Sequence, residues 1–296
     1  RSFLIRAAQH YEMQVKVNRN LWDLLRARDY YYRAEEYERA AGIVTAAWQY
    51  LARWGYIELA MSLLQQSANT TLGGTKAIAA GNLATLYHEL GDWKTALRLY
   101  SDVKEIFEEL GDRKNVATVL HQLGIVHEHQ GNYPEAVKLY QQSLEIKKDL
   151  GDKSGIASSL HQLGMVHQDQ GNYPEAVKLY LQSLEMAKDL GDKSGIAYSL
   201  GQLGNVHYMQ GNYLEAVNLY QQNLEMSKQI GDKSSIANAL HQLGMVHHHQ
   251  GNYLEAVKLY LQSLEMAKDL GNKSGIAYSL HQLGMVHQDQ GNYPEA

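Results

Sequence analysis

A period of forty residues governs most of this chain. The tripeptide Gly-Asn-Tyr begins at residues 131, 171, 211, 251 and 291, and another glycine recurs in the same step at residues 111, 151, 191, 231 and 271. Repetition of this length is typical of arrays in which each unit packs only against its neighbours. The period therefore predicts a repeated supersecondary unit rather than one large core.

Both stretches between the glycines predict an α-helix. From Ala176 to Met186 apolar residues recur at three- and four-residue steps, with Glu175 and Lys178 on another face. The glycines suit the left-handed position just after a helix, and Pro134 suits a first helical turn. Serines stand where N-caps are expected, at Ser154, Ser194, Ser234 and Ser274. The unit is therefore predicted to be a helical hairpin.

The regular repeats cover residues 75–296, and residues 1–74 predict divergent hairpins that lead into them. Residues 42–66 keep the spacing of the repeat, and residues 3–41 predict one more hairpin with Trp22 and three tyrosines, 30–32, packed inside it. Residues 67–74, Ser-Ala-Asn-Thr-Thr-Leu-Gly-Gly, predict a loose connection. Residues 291–296 stop inside a predicted second helix, so we expect the chain to be a fragment.

The repeated unit resembles the tetratricopeptide repeat. The resemblance rests on the pattern Leu160-x-x-Leu163-Gly164-x-x-His167-x-x-x-Gly171-x-Tyr173-x-x-Ala176-x-x-x-Tyr180. His167 replaces the usual tyrosine, Lys188 replaces the usual proline, and the period is longer than in the common variety. The resemblance implies an all-α, right-handed α-solenoid of antiparallel helical hairpins. It also implies that the first helices line a concave groove, which receives a protein or peptide ligand.

The repeats differ mainly at five positions of the first helix, spaced so that they share one helix face. In repeat order these positions hold Thr118, Ser158, Tyr198, Asn238 and Tyr278; His121, His161, Gly201, His241 and His281; Ile125, Met165, Asn205, Met245 and Met285; Glu128, Gln168, Tyr208, His248 and Gln288; and His129, Asp169, Met209, His249 and Asp289. The resemblance makes them candidate partner-binding residues of the groove, with a gap at Gly201. Neutral drift after duplication also explains such variation, because some second-helix positions vary too.

Composition excludes several other functions. None of the five positions carries Lys or Arg, and the net charge is -5, which disfavours nucleic acid and the capture of a ligand carboxylate. Residues 151–154, Gly-Asp-Lys-Ser, lack the glycine before the lysine that a phosphate-binding loop requires, and no catalytic motif or cofactor site is evident. The three consecutive histidines 247–249 point in different directions on a helix, so no metal site is predicted. The absence of cysteine, signal peptide and membrane-length apolar segments predicts a cytoplasmic protein with no membrane partner.

The leading hypothesis is a non-catalytic interaction module. The long units, preceded by divergent hairpins, resemble the C-terminal sensor arms of bacterial signal-transduction ATPases with numerous domains. That resemblance implies a nucleotide-binding domain upstream in the parent protein, with the arm sensing a ligand or holding the ATPase inactive. The alternative is a structural scaffold that self-associates through the ends of its solenoid.

Overall fold

The computed structural model describes residues 1–291, except for the side chain of Asn18. These residues form fifteen α-helices and no β-strand. The tripeptide that begins at Gly291 continues outside the described residues, as does the second helix predicted after it. The chain divides into two compact units, residues 1–150 and residues 151–296.

The first unit consists of helical hairpins in sequence order, in which every helix packs against the one before it. Its helices are α1 (Ser2–Asn18), α2 (Leu21–Arg33), α3 (Tyr37–Arg53), α4 (Ile57–Thr70), α5 (Gly73–Glu89), α6 (Trp93–Glu109), α7 (Arg113–His129) and α8 (Tyr133–Asp149). Helices α1 and α2 form a hairpin, and α3 and α4 form another across residues 42–66. The boundary at residues 74 and 75 stays a prediction.

The second unit repeats the same hairpin. Its helices are α9 (Lys153–Asp169), α10 (Tyr173–Leu190), α11 (Lys193–Met209), α12 (Tyr213–Ile230), α13 (Lys233–His249), α14 (Tyr253–Asp269) and α15 (Lys273–Asp289). The odd-numbered helices are the first helices of the repeats, and the even-numbered ones are the second helices. The predicted all-α solenoid of helical hairpins is confirmed, whereas its right-handed sense stays a prediction.

The helices of the regular repeats end as the glycine pattern predicts. Gly131 has a φ of 72°, in the left-handed region that disfavours side chains. The turn lets the backbone N–H of Asn132 donate to the carbonyl of His127 at 2.8 Å, which satisfies a carbonyl at the helix end. Pro134 lies in the first turn of α8, where its missing N–H costs no helical hydrogen bond.

The small residues of the pattern make room for a buried tyrosine. A Cβ atom at Gly164 would lie 2.7 Å from Cε1 of Tyr180, so only glycine fits beneath that ring. Tyr180 is fully buried and packs with Ala176 and, across the hairpin boundary, with Leu200 and Leu203 of α11. Tyr180 therefore joins its hairpin to the next one.

The prediction of serine N-caps is wrong. Ser154 lies inside α9, and the cap is Asp152, whose carboxylate accepts a hydrogen bond from the backbone N–H of Gly155 at 2.9 Å. The residues at the same position of the next repeats cap in the same way, and they are Asp192, Asp232 and Asn272. A carboxylate or amide oxygen two residues earlier reaches the free N–H groups of the first turn, so the serine is not needed there.

Two predictions about the first unit are also wrong. The segment predicted as a loose connection, residues 67–74, lies mostly within the end of α4 and the start of α5. Ser67 is buried, and its hydroxyl donates to the carbonyl of Leu63 at 2.9 Å. The hydroxyl of Thr70 donates in the same way to the carbonyl of Gln66. Trp22 does not pack inside its hairpin but is 44% exposed, with its edge against another aromatic ring.

Among residues 1–291, no helix has both the length and the apolar composition needed to cross a membrane.

Candidate functional site

The five variable positions lie on α7 in the first unit and on α9, α11, α13 and α15 in the second. We call the surface that they form within each unit the first-helix face. Its first and fifth positions are exposed in every repeat, at Thr118, Ser158, Tyr198, Asn238 and Tyr278, and at His129, Asp169, Met209, His249 and Asp289. On α15 the other three residues, His281, Met285 and Gln288, are exposed as well. On the remaining helices the second to fourth positions are half-buried or buried, so they also contribute to packing.

In the repeats with α7, α9 and α13 the second position holds an imidazole that packs at a tilt of about 45–53° against the buried tyrosine of the same repeat. The imidazole of His161 lies 5.2 Å from the ring of Tyr180 and 4.3 Å from the ring of Tyr198, measured between centroids. His121 lies 5.2 Å from its tyrosine, and His241 lies 5.3 Å from its own. Gly201 breaks this arrangement, since it has no side chain to place over Tyr220.

In the repeats with α7 and α9 the fourth position supplies the hydrogen-bond acceptor for that same tyrosine. In the first unit the hydroxyl of Tyr140 donates to the carboxylate of Glu128 at 2.6 Å, and in the second unit Tyr180 donates to the amide oxygen of Gln168 at 2.9 Å. These two candidate residues therefore have a structural role in addition to any role in binding.

The repeat with α11 exchanges its acceptor between two positions. Tyr208 occupies the fourth position, and the acceptor moves to the third, where the amide oxygen of Asn205 accepts from Tyr220 at 2.7 Å. Part of the variation between repeats is therefore an exchange that keeps the hydroxyl of Tyr220 hydrogen-bonded. The side chains of Ile125, Met165 and Met245, at the same position as Asn205, are half-buried.

A cleft opens at Gly201, between α11 and α13, with a volume of about 680 Å³. Its walls include the rings of Tyr198 and Tyr220 and the amides of Asn205 and Asn238. The corresponding cleft one repeat earlier, where His161 is present, has a volume of about 300 Å³. The gap that the sequence predicts at Gly201 is thus confirmed.

Polar and aromatic contacts join the C-terminal ends of successive first helices. In the first unit Nε2 of His88 lies 2.8 Å from Nδ1 of His129. In the second unit Nε2 of His248 lies 2.8 Å from Oδ2 of Asp289, and the ring of Tyr208 lies 5.3 Å from that of His249. In the second unit, where four first helices carry the variable positions, the first-helix face is therefore continuous from one repeat to the next.

The geometry agrees with a match found by sequence. The family model described as tetratricopeptide repeat matches residues 75–149, 155–229 and 235–296, which together make up most of the chain. The chain belongs to the tetratricopeptide repeat family. No curated protein matches it significantly by sequence.

Several solved tetratricopeptide repeat structures share this fold. A signal transduction ATPase with numerous domains from Pyrococcus horikoshii, which has a tetratricopeptide repeat sensor, is 20% identical, with a TM-score of 0.73 over 97% of this chain and 50% of that one. A Rap protein in complex with competence and sporulation factor is 13% identical, with a TM-score of 0.67 over 100% of this chain and 88% of that one. NprR in complex with its cognate peptide NprX is 18% identical, with a TM-score of 0.60 over 85% of this chain and 73% of that one. This chain spans only half the length of the ATPase. Because all three identities are below 25%, the similarity shows a shared fold alone.

Burial disfavours the charged form of the imidazoles that pack on these tyrosines. It lowers the pKa of His161 to about 4 and lowers that of His241 as well. Burial also lowers the pKa of His121 to about 4, with a smaller contribution from the ammonium of Lys147. Lys147 is itself buried, and it is a cation that the five positions do not reveal. In residues 1–291 no three His, Asp or Glu side chains form a group suited to a metal ion.

The structure adds lining residues that the comparison of first helices misses. Asn223 lies on α12, and its amide donates to the carbonyl of Ala197 at 2.6 Å, where the hydroxyl of Ser183 makes the corresponding bond one repeat earlier at 3.0 Å. Asn223 and Gly201 both differ from the residues at the same positions of the other regular repeats, and they belong to the same repeat. This coincidence in the sequence could have indicated that the two residues lie together. Gln202 and Gln242 line the cleft too, but they escape notice because glutamine occupies that position in every regular repeat from residue 122 onwards.

Proposed function

We propose that this chain is a non-catalytic module that binds a protein or peptide on its first-helix face. The observation that carries the proposal is the cleft of about 680 Å³ at Gly201, which opens on a face rich in aromatic and carboxamide side chains. Pockets that bind ligands have volumes of about 300–1,000 Å³ and combine apolar walls with a few polar groups. Carboxamides can both donate to and accept from a peptide backbone.

The electrostatics of the face favour an uncharged segment of the ligand. His161 is neutral at physiological pH, because burial lowers its pKa to about 4. The carboxylate of Asp232, which borders the cleft, already accepts hydrogen bonds from the backbone N–H groups of Ser234 and Ser235. An extended polyanion would find no row of cations at the variable positions.

We infer further that the module is the ligand-sensing or autoinhibitory arm of a larger signalling ATPase. The match of 97% of this chain to half of an ATPase that has a tetratricopeptide repeat sensor supports this inference. So do the complexes of a Rap protein with competence and sporulation factor and of NprR with its peptide. The reading frame upstream of Arg1 tests it, because the arm of an ATPase should follow a strand, a glycine-rich loop ending in Gly-Lys-Ser/Thr, and a helix. A parent protein without that motif contradicts the ATPase context.

Peptide binding is tested by selecting peptides from a displayed random library on the purified chain. In a variant with Tyr198→Ala, Met209→Ala and Asn238→Ala, the selected peptide should bind about tenfold more weakly or worse, because these exposed side chains lie on the first-helix face. The control is Leu181→Ala with Leu261→Ala, two exposed positions on second helices, which should leave the affinity unchanged.

Two results would contradict this proposal. One is a selected peptide that loses affinity with the second-helix control and keeps it with the first-helix variant. The other is the absence of any selected peptide together with a molecular mass that rises with concentration in light scattering, which supports the self-associating scaffold instead.

A further inference from the structure

Two neighbouring repeats of the second unit provide an internal comparison of the same cleft. In both, the cleft lies between successive first helices, and its walls come from corresponding positions of the repeat. The volume is about 300 Å³ beside His161 and about 680 Å³ beside Gly201. Since the backbone pattern is the same, the difference arises from the side chains.

Two substitutions account for the larger volume. Gly201 removes the imidazole that His161 places in the smaller cleft, and Asn238 replaces the phenol ring that Tyr198 places there. Tyr220 and Asn205 consequently line the larger cleft, whereas Tyr180 does not line the smaller one because the imidazole covers it. In the larger cleft the ring of Tyr220 is therefore exposed where an imidazole would cover it in the neighbouring repeat.

The native occupant of the smaller cleft shows what this place accepts. The imidazole of His161 lies between two tyrosine rings, at 5.2 Å from Tyr180 and 4.3 Å from Tyr198. In the part of the chain that the structure describes, neither of its ring nitrogens has a hydrogen-bond partner. The imidazole therefore acts in this place as a flat, uncharged ring that packs against two aromatic rings, at tilts of 45° and 34°.

The remaining walls at Gly201 suit the groups that surround such a ring in a peptide. The amides of Gln202, Asn238 and Gln242 border the cleft, and they can pair with a peptide backbone or with a ring hydroxyl or N–H. Asn223 fills only part of the place of the missing imidazole. Its amide nitrogen would lie 2.7 Å from a Cβ atom at Gly201, and it is held by the carbonyl of Ala197.

We propose that the cleft at Gly201 is a pocket for one aromatic side chain of a bound peptide, whose ring packs on Tyr220 as the imidazole of His161 packs on Tyr180. This inference rests on the proposed function, and it adds the residue type that the peptide presents. Within residues 1–291 the one charged group that lines the cleft is the carboxylate of Asp232, which repels an anionic side chain. That carboxylate already accepts hydrogen bonds from the backbone N–H groups of Ser234 and Ser235, so a cationic side chain is disfavoured as well.

The test uses p-cresol, the side chain of tyrosine, as the probe and two variants that exchange the features of neighbouring repeats. Gly201→His with Asn223→Ser gives the third repeat the residues that the second holds at 161 and 183. His161→Gly with Ser183→Asn makes the reverse exchange. Each combination already exists in this fold, and a thermal unfolding curve close to that of the wild type confirms that a variant is folded.

The wild type should bind one p-cresol molecule, observed by NMR titration. The first variant should bind it about tenfold more weakly or not at all, because the new imidazole takes the place of the ring. The reverse variant keeps the phenol ring of Tyr198 in the smaller cleft, so it should bind a second molecule more weakly than the wild type binds the first. Equal affinity in the wild type and the first variant overturns the proposal, and so does equal binding of n-butylammonium or propionate, which carry the charges of lysine and glutamate.

Peptide selection separates this inference from the proposed function. Peptides selected on the wild type should share one aromatic position, and those selected on Gly201→His with Asn223→Ser should lose it. Peptides that bind the first-helix face of both proteins without an aromatic position overturn the pocket and leave the function standing. A failure to select any peptide, with p-cresol still bound at Gly201, overturns the function instead.

Discussion

Replacing Gly164 by alanine should destabilise the second unit, although alanine is the better helix former. The exchange in a helix interior gains about 1 kcal/mol from helix propensity. The new Cβ atom, however, would lie 2.7 Å from Cε1 and 2.8 Å from Cδ1 of Tyr180, well inside contact distance. Inserting a methyl group into a tightly packed core costs about 1–3 kcal/mol. We therefore expect a net loss of about 1 kcal/mol.

The ring cannot move aside to relieve the clash. Tyr180 is fully buried, its hydroxyl donates to Gln168 at 2.9 Å, and its ring packs against that of His161 at 5.2 Å between centroids. The assay is thermal unfolding followed by circular dichroism, in which about 1 kcal/mol lowers the midpoint by about 2–4 °C for a unit of this size.

Gly42→Ala serves as the control, because Gly42 lies in the interior of α3 and a Cβ atom there has no neighbour within 4 Å. That variant should gain about 0.5–1 kcal/mol. Combining Gly164→Ala with Tyr180→Leu should make the alanine neutral or favourable, since the ring is then gone. If Gly164→Ala stabilises the wild type as Gly42→Ala does, the account of how the tyrosine joins the hairpins is wrong.

Three further measurements probe single interactions. Burial lowers the pKa of His161 to about 4, so between pH 4 and about 6.5 the unfolded chain binds more protons than the folded one, and stability should fall as the pH drops through this range. The variant His161→Phe should lose up to about 3 kcal/mol less than the wild type when both are unfolded in urea at a series of pH values. The same loss of stability in the two proteins would contradict this prediction. Tyr220→Phe should cost about 1 kcal/mol of stability, because the hydrogen bond from its hydroxyl to Asn205 is lost. Tyr260→Phe should be neutral or stabilising, since the hydroxyl of Tyr260 has no partner among residues 1–291. Equal losses of the two variants on thermal unfolding would refute the distinction. Asp152→Ala should cost about 1 kcal/mol and Ser154→Ala less than about half of that, and the reverse order in chemical denaturation would return the cap to the serine.

The sequence predicts the hairpins well because their signals are local. A glycine after each helix, together with an unbroken apolar period, defines two helices and the turn between them in every regular repeat. The errors arise where two residue types compete for one role. Aspartate and serine both cap helices, and the residue that does so is the one whose oxygen reaches the first turn, Asp152 rather than Ser154. The hydroxyls of residues 67–71 similarly bond to the preceding turn instead of breaking the helix.

The candidate site is predictable only in part. Comparing the repeats identifies Gly201 as a gap, because that comparison needs no knowledge of the packing. It does not reveal that Asn223 contacts the same place, since this depends on the register between α11 and α12. Nor does it show that Asn205 compensates for the change to Tyr208, because the hydroxyl that needs an acceptor belongs to Tyr220 on another helix. This link between α11 and α12 appears only once the hairpin is folded.

The methionine methyl groups provide the most direct test of the central claim, that ligand binds the first-helix face. Met165, Met209 and Met245 lie on first helices at variable positions, whereas Met186 and Met226 lie on second helices. With the methyl groups labelled with ¹³C, addition of the selected peptide should shift the signals of the first three and leave those of the last two in place. Shifts confined to Met186 and Met226 would contradict the account, because the ligand would then lie on the opposite side of the hairpins.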